Sequence, residues 1–67
     1  MQTKLKVTLI DGKKVEIKRC GYAVKVWNDG KWNNIAAFEP EDYEEAKKCY
    51  INAKKDGWRY VEICQLF

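Results

Sequence analysis

The sequence predicts an α+β fold, in which an antiparallel sheet of about five strands, in the chain order ββββαβ, carries one helix packed on one face. Three observations support this class. Segments before residue 39 alternate apolar and polar side chains with the two-residue period of half-buried strands. Asp-Gly pairs at residues 11–12 and 29–30 predict two hairpin turns. One later segment repeats its apolar residues at helical spacing instead.

The first hairpin joins the alternating segment Thr3–Ile10 to Lys14–Lys18. A two-residue loop would place Val7 opposite Glu16 and so mix core with solvent. A three-residue loop keeps the apolar residues on one face and puts Gly12 at the left-handed position that such loops require. The pairs in this preferred register are Leu9 with Lys13, Val7 with Val15 and Leu5 with Ile17. The other face then bears Lys4, Lys6, Lys14 and Lys18 around Glu16.

The second hairpin, Tyr22–Phe38, allows two loop lengths. A two-residue loop at Asp29-Gly30 pairs Trp27 with Trp32 on the face away from the core. A three-residue loop would pair Val26 with Trp32 and send that tryptophan inward. The two-residue loop is preferred, and its inward face holds Tyr22, Val24, Val26, Ile35 and Ala37.

The helix is predicted over residues 41–55. Pro40 suits a first turn because its missing N–H needs no partner there, and Asp42 with Glu45 has the spacing of a capping box. Gly57, just beyond the last turn, predicts the helix end. The apolar face comprises Tyr43, Ala46, Cys49, Tyr50 and Ala53.

A last strand is predicted over Trp58–Leu66. Its expected inward residues are Val61 and Ile63, with Trp58, Tyr60 and Glu62 opposite them. Since one helix covers only one face of a sheet, we expect the other face to be available for contacts.

The composition of the single predicted domain, residues 1–67, disfavours catalysis. The chain has no His and no Ser, so it lacks the usual general base and the usual hydrolase nucleophile. Cys20, Cys49 and Cys64 have neither an imidazole partner nor CxxC spacing, which favours mostly buried free thiols over zinc ligands. One intrachain or intermolecular disulfide is the alternative. We therefore predict no enzyme activity, no cofactor and no metal site.

The two halves of the chain differ in net charge. Residues 1–38 carry eight Lys or Arg against three Asp or Glu, whereas residues 39–67 carry five against seven. This segregation predicts a two-faced molecule.

No apolar run approaches the length of a membrane span or a signal-peptide core, so a cytoplasmic location without membrane contact is expected.

The exposed sheet face is the predicted site, because it combines aromatic with cationic side chains. Such a face suits a protein partner, since Trp and Tyr anchor interfaces. It also suits nucleic acid, since aromatic rings stack on bases and lysines neutralise phosphates. Solvated lysines and a hairpin-stabilising Trp pair are the plainer alternative. The predicted binding residues are Lys4, Lys6, Lys14, Lys18, Lys25, Trp27, Trp32 and Tyr60.

These features favour a small non-catalytic module for protein–protein interaction. Size and composition are typical of accessory or inhibitor proteins from phages and mobile elements, anti-CRISPR proteins among them. Nucleic-acid binding through the same face is the alternative, although eleven Lys against two Arg disfavour specific base readout. Unpaired sheet edges leave both a monomer and a homodimer open.

A family resemblance supports the alternative. The hairpin YAVKVWNDGKW, followed by IAAF at residues 35–38 and by EEA at residues 44–46, resembles the three-stranded-sheet-plus-helix DNA-binding domains of phage integrase arms and plant ethylene-response factors. The resemblance spans residues 22–53, about half of the chain. It implies a sheet that enters the major groove of DNA, with Lys25, Trp27 and Trp32 facing the DNA.

Overall fold

Five antiparallel strands and one α-helix follow one another in the predicted order. The computed structural model describes residues 4–67, so Thr3 of the predicted first strand lies outside them. The elements are β1 (Lys4–Thr8), β2 (Lys14–Lys18), β3 (Tyr22–Asn28), β4 (Lys31–Phe38), a 3-10 turn (Pro40–Asp42), α1 (Tyr43–Lys55) and β5 (Val61–Gln65). The predicted α+β class is confirmed. The strands form two sheets, β1–β2 and β4–β3–β5, where a single sheet was expected.

The β1–β2 hairpin has the predicted three-residue loop. Val7 lies opposite Val15, and Leu5 lies opposite Ile17. Gly12 adopts a φ of +92°, in the left-handed region that glycine tolerates best. The register is confirmed, because it is the one that collects the apolar side chains on a single face.

The β3–β4 hairpin has the predicted two-residue turn. Asp29 and Gly30 both adopt positive φ, at 54° and 78°, as a type I′ turn requires. Trp27 therefore pairs with Trp32, and the preferred loop is confirmed.

A bulge interrupts this hairpin further from its turn. The register shifts by one residue, so Val24 lies opposite Ala36 rather than Ile35. Ala37 consequently lies opposite Ala23, on the face of the sheet away from the helix. The predicted inward position of Ala37 is wrong, because the extra residue in β4 reverses the alternation beyond it.

The main core lies between α1 and one face of the three-stranded sheet. Val24 and Val26, on the central strand β3, are completely buried. Alanines at positions 46 and 53 allow the helix to approach them closely. The core cluster comprises Val24, Val26, Ala46, Ala53 and Val61, and its partly buried surround comprises Tyr22, Ile35, Phe38, Cys49, Tyr50, Trp58 and Ile63.

The helix starts later than predicted and ends as predicted. The segment Pro40–Asp42 forms a 3-10 turn, so α1 begins at Tyr43. Asp42 is the N-cap but makes no capping hydrogen bond through its side chain, so the predicted capping box with Glu45 is wrong. Gly57, at a φ of +103°, follows the last helical turn.

β5 is shorter than the predicted strand and pairs with β3. Val61 and Ile63 lie on the core side as predicted. Trp58 also packs against the core, so its predicted place opposite Val61 is wrong. The reason is local: residues 56–60 still belong to the turn that follows the helix, where strand alternation does not apply.

The β1–β2 hairpin covers part of the sheet face away from α1, which we call the outer face. Val7 and Ile17 of the hairpin are buried, and so is Ala23 on the outer face of β3. The approach is close at Gly21, where an added Cβ would collide with the Ile17 side chain and the Phe38 carbonyl oxygen. The outer face is therefore half covered, whereas the sequence predicted it to be free.

Candidate functional site

Exposed aromatic side chains mark the uncovered end of the three-stranded sheet. We call Trp27, Trp32 and Tyr60 the aromatic cluster. The exposed fractions are 43% for Trp27, 39% for Trp32 and 56% for Tyr60. Trp27 has Trp32 as its neighbour on β4, and on the other side its N–H donates to the Tyr60 carbonyl oxygen at 3.1 Å. The backbone of three neighbouring segments thus holds the three residues in a row.

The two indole rings contact each other. Their centroids lie 5.5 Å apart with planes at 78°, an edge-to-face arrangement. Such a pair contributes about 0.5–1.5 kcal/mol beyond its buried area, so it helps to hold the hairpin. Since roughly two fifths of each side chain stays exposed, the pair also presents apolar surface to solvent.

Ile10 extends this surface, although sequence reasoning placed it in a loop and missed it. Its side chain is 46% exposed, and its N–H donates to the Asn34 carbonyl oxygen at 2.7 Å. The Asn34 side-chain amide donates in turn to the Thr8 carbonyl oxygen at 3.4 Å. This contact joins segments far apart in the chain, so no local pattern could reveal it. An open groove of about 370 Å³ results, lined by Thr8, Leu9, Ile10, Gly12, Lys31, Trp32, Asn33 and Asn34.

The predicted lysines lie on two layers instead of one sheet. Four of them occupy the exposed face of the β1–β2 hairpin around Glu16, as the register predicted: Lys4, Lys6, Lys14 and Lys18. Lys25 lies on β3 with Trp27, in the three-stranded sheet. The structure thus brings Lys25 together with the tryptophans and places the other four lysines beside them on the covering hairpin.

Acidic neighbours reduce the positive charge at three of these lysines. The Lys18 backbone N–H donates to the Glu39 carboxylate at 3.1 Å, and its ammonium lies 4.0 Å from the Glu41 carboxylate. Lys25 lies opposite Glu62 in the β3–β5 register, and Lys6 lies opposite Glu16 in the β1–β2 register. Within residues 4–67, Lys4, Lys6 and Lys14 take part in no ion pair.

An amphipathic groove separates the two layers. Its volume is about 460 Å³, and it is lined by Leu5, Lys6, Val7, Thr8, Ala23, Lys25, Asn34, Cys64 and Leu66. Lys25 supplies cationic lining, while Leu5 and Val7 supply apolar lining. Such a groove suits a partner side chain that is apolar in its stem and acidic at its tip.

The thiols are all free, and they lie apart from the aromatic cluster. Cys20 is exposed, where the sequence favoured a buried thiol, and Cys49 and Cys64 are half-buried. Burial raises the pKa of the Cys49 thiol and so lowers its thiolate fraction. On α1, the hydrogen bond and charge of Glu44 raise the pKa of Lys47, which lies 3.0 Å away. No group of His, Cys, Asp or Glu in the described residues could hold a metal ion.

Comparison with known proteins assigns neither a family nor a function to this chain. The sequence matches no protein-family model, and no curated protein or solved structure is significantly similar to it. Among the described residues, no helix combines the length and apolar character needed to cross a membrane. The resemblance of residues 22–53 to sheet-plus-helix DNA-binding domains stays a prediction.

Proposed function

We propose that the protein is a small non-catalytic binding module that docks a protein partner through the aromatic cluster and the adjoining lysines. The observation that carries this proposal is the exposure of Trp27 and Trp32 at fixed positions on a hairpin. Large aromatic side chains held rigidly lose little conformational entropy on binding, which is why they dominate interface energetics. An inhibitor of the phage or anti-CRISPR type is the form of this function that size and composition favour.

The chemistry of the partner follows from what surrounds the cluster. Lys6 and Lys25 line the amphipathic groove, and three hairpin lysines have no ion pair within residues 4–67. These charges favour an acidic rim on the partner. Ile10 and the indole rings favour an apolar centre. The expected partner surface is therefore an apolar patch bordered by Asp or Glu.

A protein partner suits the geometry better than nucleic acid does. Base stacking needs open ring faces, but Trp27 and Trp32 pack edge to face on each other. Lys6, Lys18 and Lys25, moreover, have acidic neighbours. The binding of phosphate groups would depend on lysines of the β1–β2 hairpin, which lies one layer away from the aromatic rings.

The proposal is tested by affinity capture from a lysate of the source organism followed by mass spectrometry. Wild-type protein and Phe67→Ala, whose altered side chain is the most exposed apolar one described, should recover the same dominant protein. Trp27→Ala and Trp32→Ala should each lower the affinity for the purified partner at least about tenfold, since an anchoring aromatic contributes roughly 2 kcal/mol or more. Circular dichroism confirms that each variant is folded.

Two outcomes contradict the proposal. Unchanged recovery by both tryptophan variants places the interface elsewhere on the molecule. Binding of DNA or RNA that weakens steeply with salt, with a slope that flattens on replacing Lys4, Lys6 and Lys14, assigns the surface to nucleic acid instead.

A further inference from the structure

β5 leaves one edge of the three-stranded sheet open among residues 4–67. Trp27 N–H donates to the Tyr60 carbonyl oxygen at 3.1 Å, and Leu66 N–H donates to the Gly21 carbonyl oxygen at 2.7 Å. In antiparallel strands the backbone groups of successive residues point in alternating directions. Every second residue of β5 between these two bonds therefore directs its N–H and C=O groups toward β3. The backbone N–H and C=O groups of Val61, Ile63 and Gln65 are directed away from β3. Their six N–H and C=O groups meet no neighbouring strand in the described chain.

This edge lacks three of the features that prevent strands from pairing, namely lysine, proline and a bulge. The β5 sequence VEICQ contains no lysine and no proline, and its register with β3 is unbroken. The opposite edge of the sheet differs, since Leu9 forms a bridge to Asn34 and Ile10 donates to the same residue. One edge is thus covered by the chain itself, while the other is available as a pairing template.

We propose that two copies of the chain associate through their β5 edges about a two-fold axis at Ile63. With the axis there, Ile63 pairs with Ile63 of the second copy, and each Val61 pairs with a Gln65. All six outward groups on each strand then lie in hydrogen-bonding positions, which joins the two sheets into one of six strands. Glu62 faces Cys64 of the second copy. An axis at Glu62 would instead oppose two carboxylates, which disfavours that register.

The helices supply charge complementarity that selects a second copy as the occupant. Tyr43, at the start of α1, packs on Tyr22 with ring centroids 4.8 Å apart, and Tyr22 pairs with Gln65. At the other end of the helix, Trp58 N–H donates to the Ala53 carbonyl oxygen, shortly before β5 begins. α1 therefore runs antiparallel to β5.

The two-fold axis consequently places the first turn of one helix on the same level as the last turn of the other. The first turn carries Glu44, which binds Lys47 of its own helix at 3.0 Å, and the last turn carries Lys54 and Lys55. Glu45 lies on the other flank, because it lines the groove with Ile35. Glu44 of one copy and Lys54 of the other, together with the opposite ends of the two helix dipoles, then lie on the same level at both ends of the interface.

The helix flank above β5 also fits a second copy. Residues Cys49 and Asn52 line a groove with Ile35 of β4, so the flank with Tyr50 lies on the β5 side. Ile51, next to it, is 51% exposed. Pairing of the β5 edges would bring both flanks toward each other and cover this apolar surface. Trp27 and Trp32, on β3 and β4, stay outside this interface, so the dimer does not depend on the proposed protein-binding function.

Sedimentation equilibrium and size-exclusion chromatography with light scattering test the dimer. Wild-type protein should have twice the 7.9 kDa mass of the chain, with dissociation on dilution. Gln65→Pro removes an outward N–H from each copy without breaking a bond to β3, and it should give a monomer with an unchanged circular dichroism spectrum. Gln65→Ala is the matched control: it removes the same side chain, whose amide contacts the Cys20 carbonyl oxygen, but keeps the N–H, and it should remain a dimer.

A charge-swap experiment tests the antiparallel helix arrangement. Lys54→Glu with Lys55→Glu makes both helix ends acidic, and Glu44→Lys makes both ends of the facing flank basic. Each variant alone should dissociate more readily than wild type, while an equimolar mixture should form heterodimers, visible by native mass spectrometry. A wild-type monomer at millimolar concentration, or a Gln65→Pro variant that remains dimeric, overturns the proposal. Failure of the mixture to pair overturns the antiparallel arrangement.

Discussion

The two faces of the three-stranded sheet are covered in different ways. Against α1, Val24 and Val26 join Ala46, Ala53 and Val61 in one continuous buried cluster. On the outer face, the hairpin buries Val7, Ile17 and Ala23 at one end only, and the aromatic cluster remains exposed at the other.

This difference separates stability from function within a very small chain. The helix-covered face uses small and branched side chains that contribute only when buried. The outer face keeps three aromatic side chains, Trp27, Trp32 and Tyr60, exposed to solvent. Partial cover by a hairpin is therefore what creates the candidate site, because complete cover would bury it and no cover would expose Val7 and Ile17.

The largest expected effect comes from making the same substitution on each face. Val26→Ala should lower the free energy of unfolding by about 2–3 kcal/mol, since two methyl groups at about 0.8 kcal/mol each are lost and a cavity remains. Val7→Ala should cost about 1 kcal/mol, because the hairpin can settle onto the sheet and close part of the space. Urea denaturation followed by tryptophan fluorescence measures both.

Equal losses in the two variants would contradict the comparison. They would mean that Val7, Ile17 and Ala23 are packed as tightly as the main core. A larger loss for Val7→Ala would make the hairpin the principal stabilising element and would reverse our assignment of the two faces.

The second prediction acts at Gly21, where the hairpin packs closely on the sheet. Gly21→Ala would place a methyl group against the Ile17 side chain and the Phe38 carbonyl oxygen, and the latter belongs to the backbone. We expect destabilisation of about 1–2 kcal/mol and faster proteolysis of the β1–β2 hairpin, because it must move away from the sheet. Cys20→Ala introduces the same residue at the exposed neighbouring position and should change stability by less than about 0.5 kcal/mol. Identical proteolysis of both variants would show that the hairpin does not depend on this contact.

Sequence alone predicted the parts of this fold that depend on neighbours in the chain. Gly12 and Gly30 specified their loop lengths, and the loops fixed both hairpin registers, including the Trp27–Trp32 pair. Gly57 located the helix end. Each of these features follows from local backbone preference together with apolar alternation.

The remaining features depend on contacts between distant segments. The bulge that moves Ala37 outward, the bond from Ile10 to Asn34 and the folding of the hairpin over Ala23 have no local signal. Because the folding of the hairpin over the sheet has no local signal, the eight predicted binding residues were assigned to one sheet face. In the structure they are divided between the hairpin and the three-stranded sheet. The three residues of the aromatic cluster were predicted from the sequence, and its extension by Ile10 was not.

The smallest expected effect concerns a thiol on the helix-covered side. Burial of Cys49 raises its pKa above the ordinary value of 9.0, because the charged thiolate loses hydration. Below the unfolded pKa the thiol is neutral in both states, and its full contribution to stability is present. As the pH rises through the folded pKa, the unfolded chain has already ionised, so this contribution is lost.

Stability should therefore fall slightly between about pH 8 and pH 10, and Cys49→Ala should show a shallower fall than wild type in urea denaturation. The difference between the two proteins isolates the contribution of Cys49, because they differ only at this residue. Cys20→Ala makes the same substitution at an exposed thiol and is the matched control. Identical profiles for wild type and Cys49→Ala would show that the core side admits water at Cys49 and is less completely sealed than the packing around Val24 and Val26 indicates.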